Sequence, residues 1–197
     1  MNTDPQKHRS GPMRSETAHQ AILDAAAALI TESGYLGVSM QHIAKRAGVG
    51  KQTVYRWWPS KAALYMELYV SLSEAHIQPV DTGSLENDLK KLWRQLCKMF
   101  RRTAAGPAFA GLIAEAQTSS EAAQEFRENF LNERREGMFS VIQRGIDRGE
   151  LPADTDVALL TDMIAGPVFY RLLAEHAPLS ESFVDRLINS VMNGTRA

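Results

Sequence analysis

Residues 38–61 read VSMQHIAKRAGVGKQTVYRWWPSK, two short amphipathic segments that meet across Ala47, Gly48, Val49 and Gly50. Ser39 can cap the first by accepting from the free N–H groups of its opening turn, and Val38 stands where a hydrophobic staple would. Met40, Ile43, Ala44 and Ala47 then recur at helical spacing and give that helix one buried side. Gly48 tolerates the positive φ of a tight C-terminal turn, and Val49 can plug the apolar gap between the two helices. In the second segment Val54 and Trp58 share a face, while Lys51, Gln52, Tyr55 and Arg56 form a separate polar strip. A short helix with donors and cations on its free side, braced by a second helix across a three- to four-residue turn, is the helix-turn-helix arrangement that enters a DNA major groove.

Side-chain chemistry divides the work on that surface. Gln52 and Gln41 suit an adenine edge, and Lys51 and Arg56 suit guanine N7 and O6. Ser39, Thr53, Tyr55 and Lys61 carry hydroxyls or a point charge, which position a helix on phosphates without reading sequence.

Charge is distributed to match. The 197 residues carry a net charge of −1, but residues 1–61 hold eight lysines and arginines against four acids, which leaves a surplus of five acids for the remainder. A basic head on an acidic body fits a polyanionic partner for the head alone. Hydrophobic content of 44% supports a sizeable core. The single cysteine, Cys97, excludes an internal disulfide and fits a reducing compartment. The apolar run 25–30 is far short of the ~20 residues a membrane span needs. We therefore expect a cytoplasmic protein with neither signal peptide nor anchor.

Outward from the motif, residues 1–14 combine Pro5, Gly11 and Pro12 with Lys7, His8, Arg9 and Arg14, and read as a flexible basic arm. The DNA-binding domain spans 15–61. Its first helix starts at Ser15 or Thr17, where Thr17 and Gln20 have capping-box spacing, buries Ala18, Ile22, Ala25, Ala26, Leu29 and Ile30, and ends at Gly34. Residues 62–83 are read as a connecting helix, capped by Ser60 and apolar at Ala63, Leu64, Leu68 and Leu72, with a linker whose composition shifts at 79–83 and sets the domain boundary near 78–83. Residues 84–197 are helical throughout. Leu85, Leu89, Leu92, Trp93, Leu96 and Phe100 make one helix, and Pro107 opens the next at its first position. A helix of roughly 40 Å, at ~1.5 Å per residue, runs from Glu121 to about Arg148 and is closed by Gly149. Helices near 156–176 and 180–192 follow. The expected fold is all-α: a three-helix DNA-binding domain followed by a helical bundle.

Several chemical readings fail on spacing. Gly48, Gly50, Lys51 and Thr53 resemble a phosphate loop, but position 45 is lysine and no strand precedes it. Glu16 and His19 have the spacing of a di-iron ligand pair, with no second pair to complete a site. Cys97 sits beside Leu96 on an apolar face without a cationic activator, and Ser39 lacks the second glycine of a nucleophile elbow. No catalytic residue, metal or cofactor is expected.

These residues together resemble the TetR family of bacterial transcriptional regulators. The resemblance runs over 22–64: an alanine-rich helix, Gly34 and Tyr35, then Ser39, Ile43, Ala44, Ala47, Gly48 and Val49, then Thr53, Tyr55, Trp58, Ser60, Lys61 and Leu64. Trp58 replaces the family's usual phenylalanine, and Trp57 stands where histidine is frequent. The resemblance implies phosphate contacts by Thr53, Tyr55 and Lys61, and a body that binds an effector and dimerises. Arg144, Gly145, Arg148, Gly149, Glu150 and Leu151, with Gly166 and Pro167, look like that body.

Within 84–197, Trp93, Leu96, Phe100, Phe109, Gln117, Phe126, Phe130, Arg134 and Met138 are candidates for a cavity holding a small apolar or amphipathic effector, with Gln95 as a further orienting group. Met163, Ile164, Phe169, Leu173, Phe183, Leu187 and Val191 supply more apolar surface than one bundle face needs, and are the candidate homodimer interface. Two function classes remain: a DNA-binding regulator, most simply a repressor released from a palindromic operator by an effector, and a helical bundle with an enzymatic or protein-binding role. The polar strip of the second motif helix favours the first.

Overall fold

The computed structural model describes residues 12–195, and every regular element among them is helical. Helix α1 (Pro12–Gly37) begins earlier than the capping box suggested, with Pro12 at its first position, where a missing N–H costs nothing. Residues 1–11, most of the expected arm, lie outside the described residues, and 12–14 are helical. At Gly34 the backbone leaves the helix (φ 66°), as the sequence indicated, before one more turn to Gly37. Ile22, Ala26 and Ile30 are fully buried, whereas Ala18 and Leu29 of the expected stripe are only half-buried. Helices α2 (Met40–Arg46) and α3 (Lys51–Trp57) follow, α2 packing on α1 and α3 on α2.

Helix α4 (Lys61–His76) starts on the Ser60 cap, whose Oγ accepts from Ala63 N at 3.0 Å. The chain divides into two compact units inside this helix, between Leu64 and Tyr65. This division falls earlier in the chain than the boundary expected at 78–83. Tyr69 of α4 packs edge-on to Phe130 (4.9 Å) and beside Phe109 (5.6 Å), so from Tyr65 onward the helix belongs to the core of the second unit.

That unit contains α5 (Leu85–Arg102), α6 (Ala105–Ala116), α7 (Ser120–Phe126), a π-helical turn (Arg127–Leu131), α8 (Asn132–Asp147), α9 (Val157–Ala174) and α10 (Glu181–Thr195). Pro107 is the third residue of α6, not the first. Gly106 is required there, because a Cβ would lie 2.4 Å from the Phe100 carbonyl oxygen. The expected long helix is one continuous run interrupted by the π turn. Gly149 ends it as anticipated: Gly149 N donates to Ile146 O (2.8 Å) and Glu150 N to Gly145 O (2.9 Å), the paired bonds of a Schellman motif. α9 carries Pro167 and is apolar along its length, yet only 22% of it is buried, with Leu159, Met163, Tyr170 and Leu173 exposed.

Candidate nucleic-acid interface and effector cavity

The turn between α2 and α3 is fixed by local chemistry. Ser39 Oγ accepts from His42 N at 3.2 Å and so caps α2. At the other end Gly48 adopts φ 67°, its N–H donates to Lys45 O (3.3 Å), and Val49 N donates to Ala44 O (3.1 Å). These bonds satisfy the last carbonyls of α2 and set the angle at which α3 departs. Val54 and Trp58 anchor α3 at 0% and 2% exposure. Lys51, Gln52 and Arg56 are exposed, Tyr55 is 43% exposed and Thr53 is half-buried. Lys51 Nζ lies 5.4 Å from the Tyr55 ring, which holds ammonium and phenol side by side. Gln41 is exposed on α2.

Other side chains of the head have partners within the fold. Lys61 Nζ donates to Tyr35 O (3.0 Å) and Val38 O (3.4 Å) and stands 4.0 Å from the Tyr35 ring. It closes the bend between α1 and α2, a role additional to the phosphate contact the sequence suggested. Arg46 forks onto both Glu32 oxygens at 2.5 and 2.8 Å, tying α2 to α1. Trp57 is spent on packing, with His19 at 5.3 Å and Trp58 at 5.6 Å.

The second unit holds a cavity of about 1090 Å³. Trp93, Leu96, Phe109, Arg134 and Met138 line it as expected. Phe100, Phe126 and Phe130 do not: Phe100 stacks behind Phe109 at 5.5 Å, and Phe126 and Phe130 pair at 5.5 Å in the aromatic core behind the wall. Gln117 is exposed at the C-cap of α6 and is no orienting group. Gln95 does not line the cavity either; its Oε1 accepts from Gln78 N at 2.6 Å and pins the irregular segment 77–84. The wall residues that sequence reasoning missed include Tyr69 on α4, residues 77–81, Arg144, and Phe169, which was assigned to a dimer surface.

Among the seven dimer candidates, Ile164, Phe183 and Val191 are buried within this chain, and Phe169 lies 4.8 Å from Phe109. Leu187 is half-buried, and only Met163 and Leu173 are exposed. Leu159 and Tyr170, not anticipated, extend those two into one stripe at helical spacing. Cys97 is buried and its thiol is pushed up to about 12 by that burial, so it is not a nucleophile. Among the described residues no group of His, Cys, Asp and Glu could hold a metal ion.

A helix-turn-helix with a cationic, amide-bearing outer face, followed in the chain by a helical unit with a half-open apolar cavity, defines a one-component DNA-binding regulator. Comparison with known proteins agrees. Residues 22–68 match the family described as bacterial regulatory proteins, tetR family, and residues 79–191 match the tetracyclin repressor-like C-terminal domain. The chain is 34% identical to the HTH-type transcriptional regulator YdeS of Bacillus subtilis, covering 96% of this chain and 95% of that one. It is 28% identical to the DNA-binding transcriptional repressor TetR of Mycobacteroides abscessus, covering 91% and 94%. The crystal structure of the TetR family regulator SCO0332 superposes with a TM-score of 0.75 at 29% identity, over 91% of this chain and 99% of that one. The protein belongs to the TetR family of transcriptional regulators, whose members bind DNA.

Proposed function

We propose that the protein is a cytoplasmic repressor that binds a roughly palindromic operator as a homodimer and leaves it when a small apolar or amphipathic effector fills the cavity of the body. The observation that carries this reading is the coexistence, on one chain, of an exposed α3 strip and a half-open, largely apolar cavity of about 1090 Å³. The space is larger than a packing defect and of the size that holds a small molecule. The unburied α9 stripe supports dimerisation, since a contiguous apolar face on a polar bundle is stabilised by a symmetry mate.

On DNA, Gln41, Lys51, Gln52 and Arg56 are assigned to base edges, and Ser39, Thr53 and Tyr55 to phosphates. Release requires that the effector favour the DNA-incompetent state, because equal affinity for both states shifts nothing. The test is to select and sequence the genomic fragments that the purified protein retains, then measure binding to the consensus at several salt concentrations. Gln52→Ala should lose roughly 1–3 kcal/mol at one base position only. Lys51→Ala, Gln52→Ala and Tyr55→Ala all leaving affinity and preference unchanged would overturn the assignment of α3 as the reader.

A further inference from the structure

The polar groups in the cavity wall are unevenly matched. Trp93 Nε1 and Arg144 Nε are buried and have no hydrogen-bond partner among the described residues. The remaining Arg144 nitrogens donate to Val80 O (2.7 Å) and Ser140 O (3.4 Å), so among the described residues this guanidinium meets carbonyls and no carboxylate. The Tyr69 hydroxyl likewise makes no hydrogen bond among the described residues.

Acids in the same wall are already committed or face solvent. Asp162 pairs with Arg135, Asp81 with Arg148 at 3.4 Å, and Glu133 with its neighbour Arg134 at 2.7 Å. Glu74 is exposed. The Glu133 carboxylate is 74% exposed, so its hold on Arg134 is a solvent-screened one that a ligand group can replace. Donors are therefore in surplus inside the cavity, and an occupant that satisfies them must bring acceptors.

Two of the donors are brought together by one ring. Phe130 lies 4.9 Å from the Tyr69 ring and 5.6 Å from the Arg134 guanidinium carbon, and packs between α4 and the start of α8. The charge of Arg134 is felt at the Tyr69 hydroxyl, although burial dominates and keeps that phenol protonated, hence a donor, well above neutral pH. A guanidinium and a phenolic O–H that pack on one ring and both line the cavity suit a carboxylate.

We propose that the cavity is built for an apolar molecule ending in an acid, its carboxylate held by Arg134 and Tyr69 and its body lying against Trp93, Leu96, Phe109 and Phe169. Trp93 Nε1 and Arg144 Nε offer further donors to any second acceptor along that body. This rests on the reading of the cavity as the effector site and adds the chemical class.

The test uses two matched series on the full-length protein: decanoate, 1-decanol and decylamine, and 2-naphthoate, 2-naphthalenemethanol and 2-naphthalenemethylamine. Binding is measured calorimetrically, with melting temperature as a second readout. In at least one series the acid should bind about tenfold tighter than its alcohol, one charge-assisted hydrogen bond's worth. Arg134→Gln and Tyr69→Phe should each lower acid affinity more than alcohol affinity and so collapse the acid-to-alcohol ratio, and this ratio is insensitive to general loosening of the fold. Equal binding of acid, alcohol and amine, tighter binding of the amine, an unchanged ratio in both variants, or no binding in either series would each overturn the proposal. DNA release is assayed separately. Neutral probes that release DNA without any acid preference would refute the acid site and leave the regulator reading standing. Acid preference in a protein that retains no DNA would do the reverse.

Discussion

Lys61 distinguishes a scaffold role from a phosphate role, and the two predict different measurements. Its ammonium donates to two carbonyls, one at 3.0 Å and one at 3.4 Å, and faces the Tyr35 ring at 4.0 Å. A hydrogen bond from a charged donor contributes about 1.5–3 kcal/mol, the longer bond less. The ring contact adds about 0.5–1 kcal/mol at a partly exposed position. Discounted for half-burial, Lys61→Met should cost about 2–3 kcal/mol, since it keeps the aliphatic stem and leaves the Tyr35 carbonyl with only the longer bond from Val38 N (3.4 Å). At about 2–4 °C per kcal/mol for a chain of this size, melting of the head should fall by about 4–12 °C. A lost phosphate contact would instead flatten the slope of log K against log salt by about 0.9. Circular dichroism melts and binding titrations at four salt concentrations separate the outcomes. An unchanged melting temperature with a slope flattened by about 0.9 would refute the clasp.

Gly145→Ala should destabilise the second unit by about 1–3 kcal/mol in urea, because the new Cβ would lie 2.5 Å from Leu85 Cδ2 and 2.9 Å from its Cβ. Alkaline stability should fall between pH 9 and about 12, and Cys97→Ala should remove part of that fall. The folded thiol keeps its proton up to about 12 by burial while the unfolded thiol loses it near 9.0, so the unfolded state binds fewer protons across that window and stability drops as pH rises. Buried Tyr65 and Tyr69, also raised by burial, extend the same trend upward. Asp88→Ala should cost about 3–5 kcal/mol by denaturant titration, since it removes a fully buried carboxylate from its donors.

What the sequence made legible was written in local chemistry. Ser39, Gly48, Ser60 and Gly149 act within a few residues of themselves, and each ends or starts a helix where expected. Where two local cues competed, the structure chose by context: Pro12 opened α1 although Thr17 and Gln20 had capping-box spacing. Depth is not written in periodicity. Phe100 on α5 and Phe109 on α6 both sit on buried helix faces, yet Phe109 lines the cavity and Phe100 stands behind it, because that depends on helices far away in sequence. Tyr69 escaped notice for the same reason. As part of a connector its neighbours could not be guessed, and its contacts with Phe109 and Phe130 are 40 and 61 residues distant. Lys61 carried the family's pattern correctly, but a lysine's partners at half-burial are a tertiary fact.

The segment 77–84 shows how far composition can mislead about mechanics. Proline, glycine and small polar residues read as a linker, and irregular backbone that is not hydrogen-bonded would behave as one. Here the polar groups are tied down one after another. Gln78 N donates to Gln95 Oε1 (2.6 Å), Val80 O accepts from Arg144 (2.7 Å), and Thr82 donates to Asp88 through both N and Oγ1 at 2.6 Å. Arg148 reaches Asp81 and Asp88 at 3.4 Å, and Leu85 N donates to Glu150 Oε2 at 2.7 Å. Each anchor lies on α5, on α8 or just past the end of α8, and residues 77–81 form one wall of the cavity. A ligand therefore meets a fixed wall, and any displacement of that wall must break several bonds together rather than bend a free loop. Asp88 is the shared acceptor in that set, buried without exposure. Asp88→Ala should consequently weaken ligand binding as well as stability, whereas Gly145→Ala, which opposes Leu85 with no polar anchor lost, should affect stability more than affinity. A flexible flap would give the opposite ranking, with ligand affinity insensitive to Asp88.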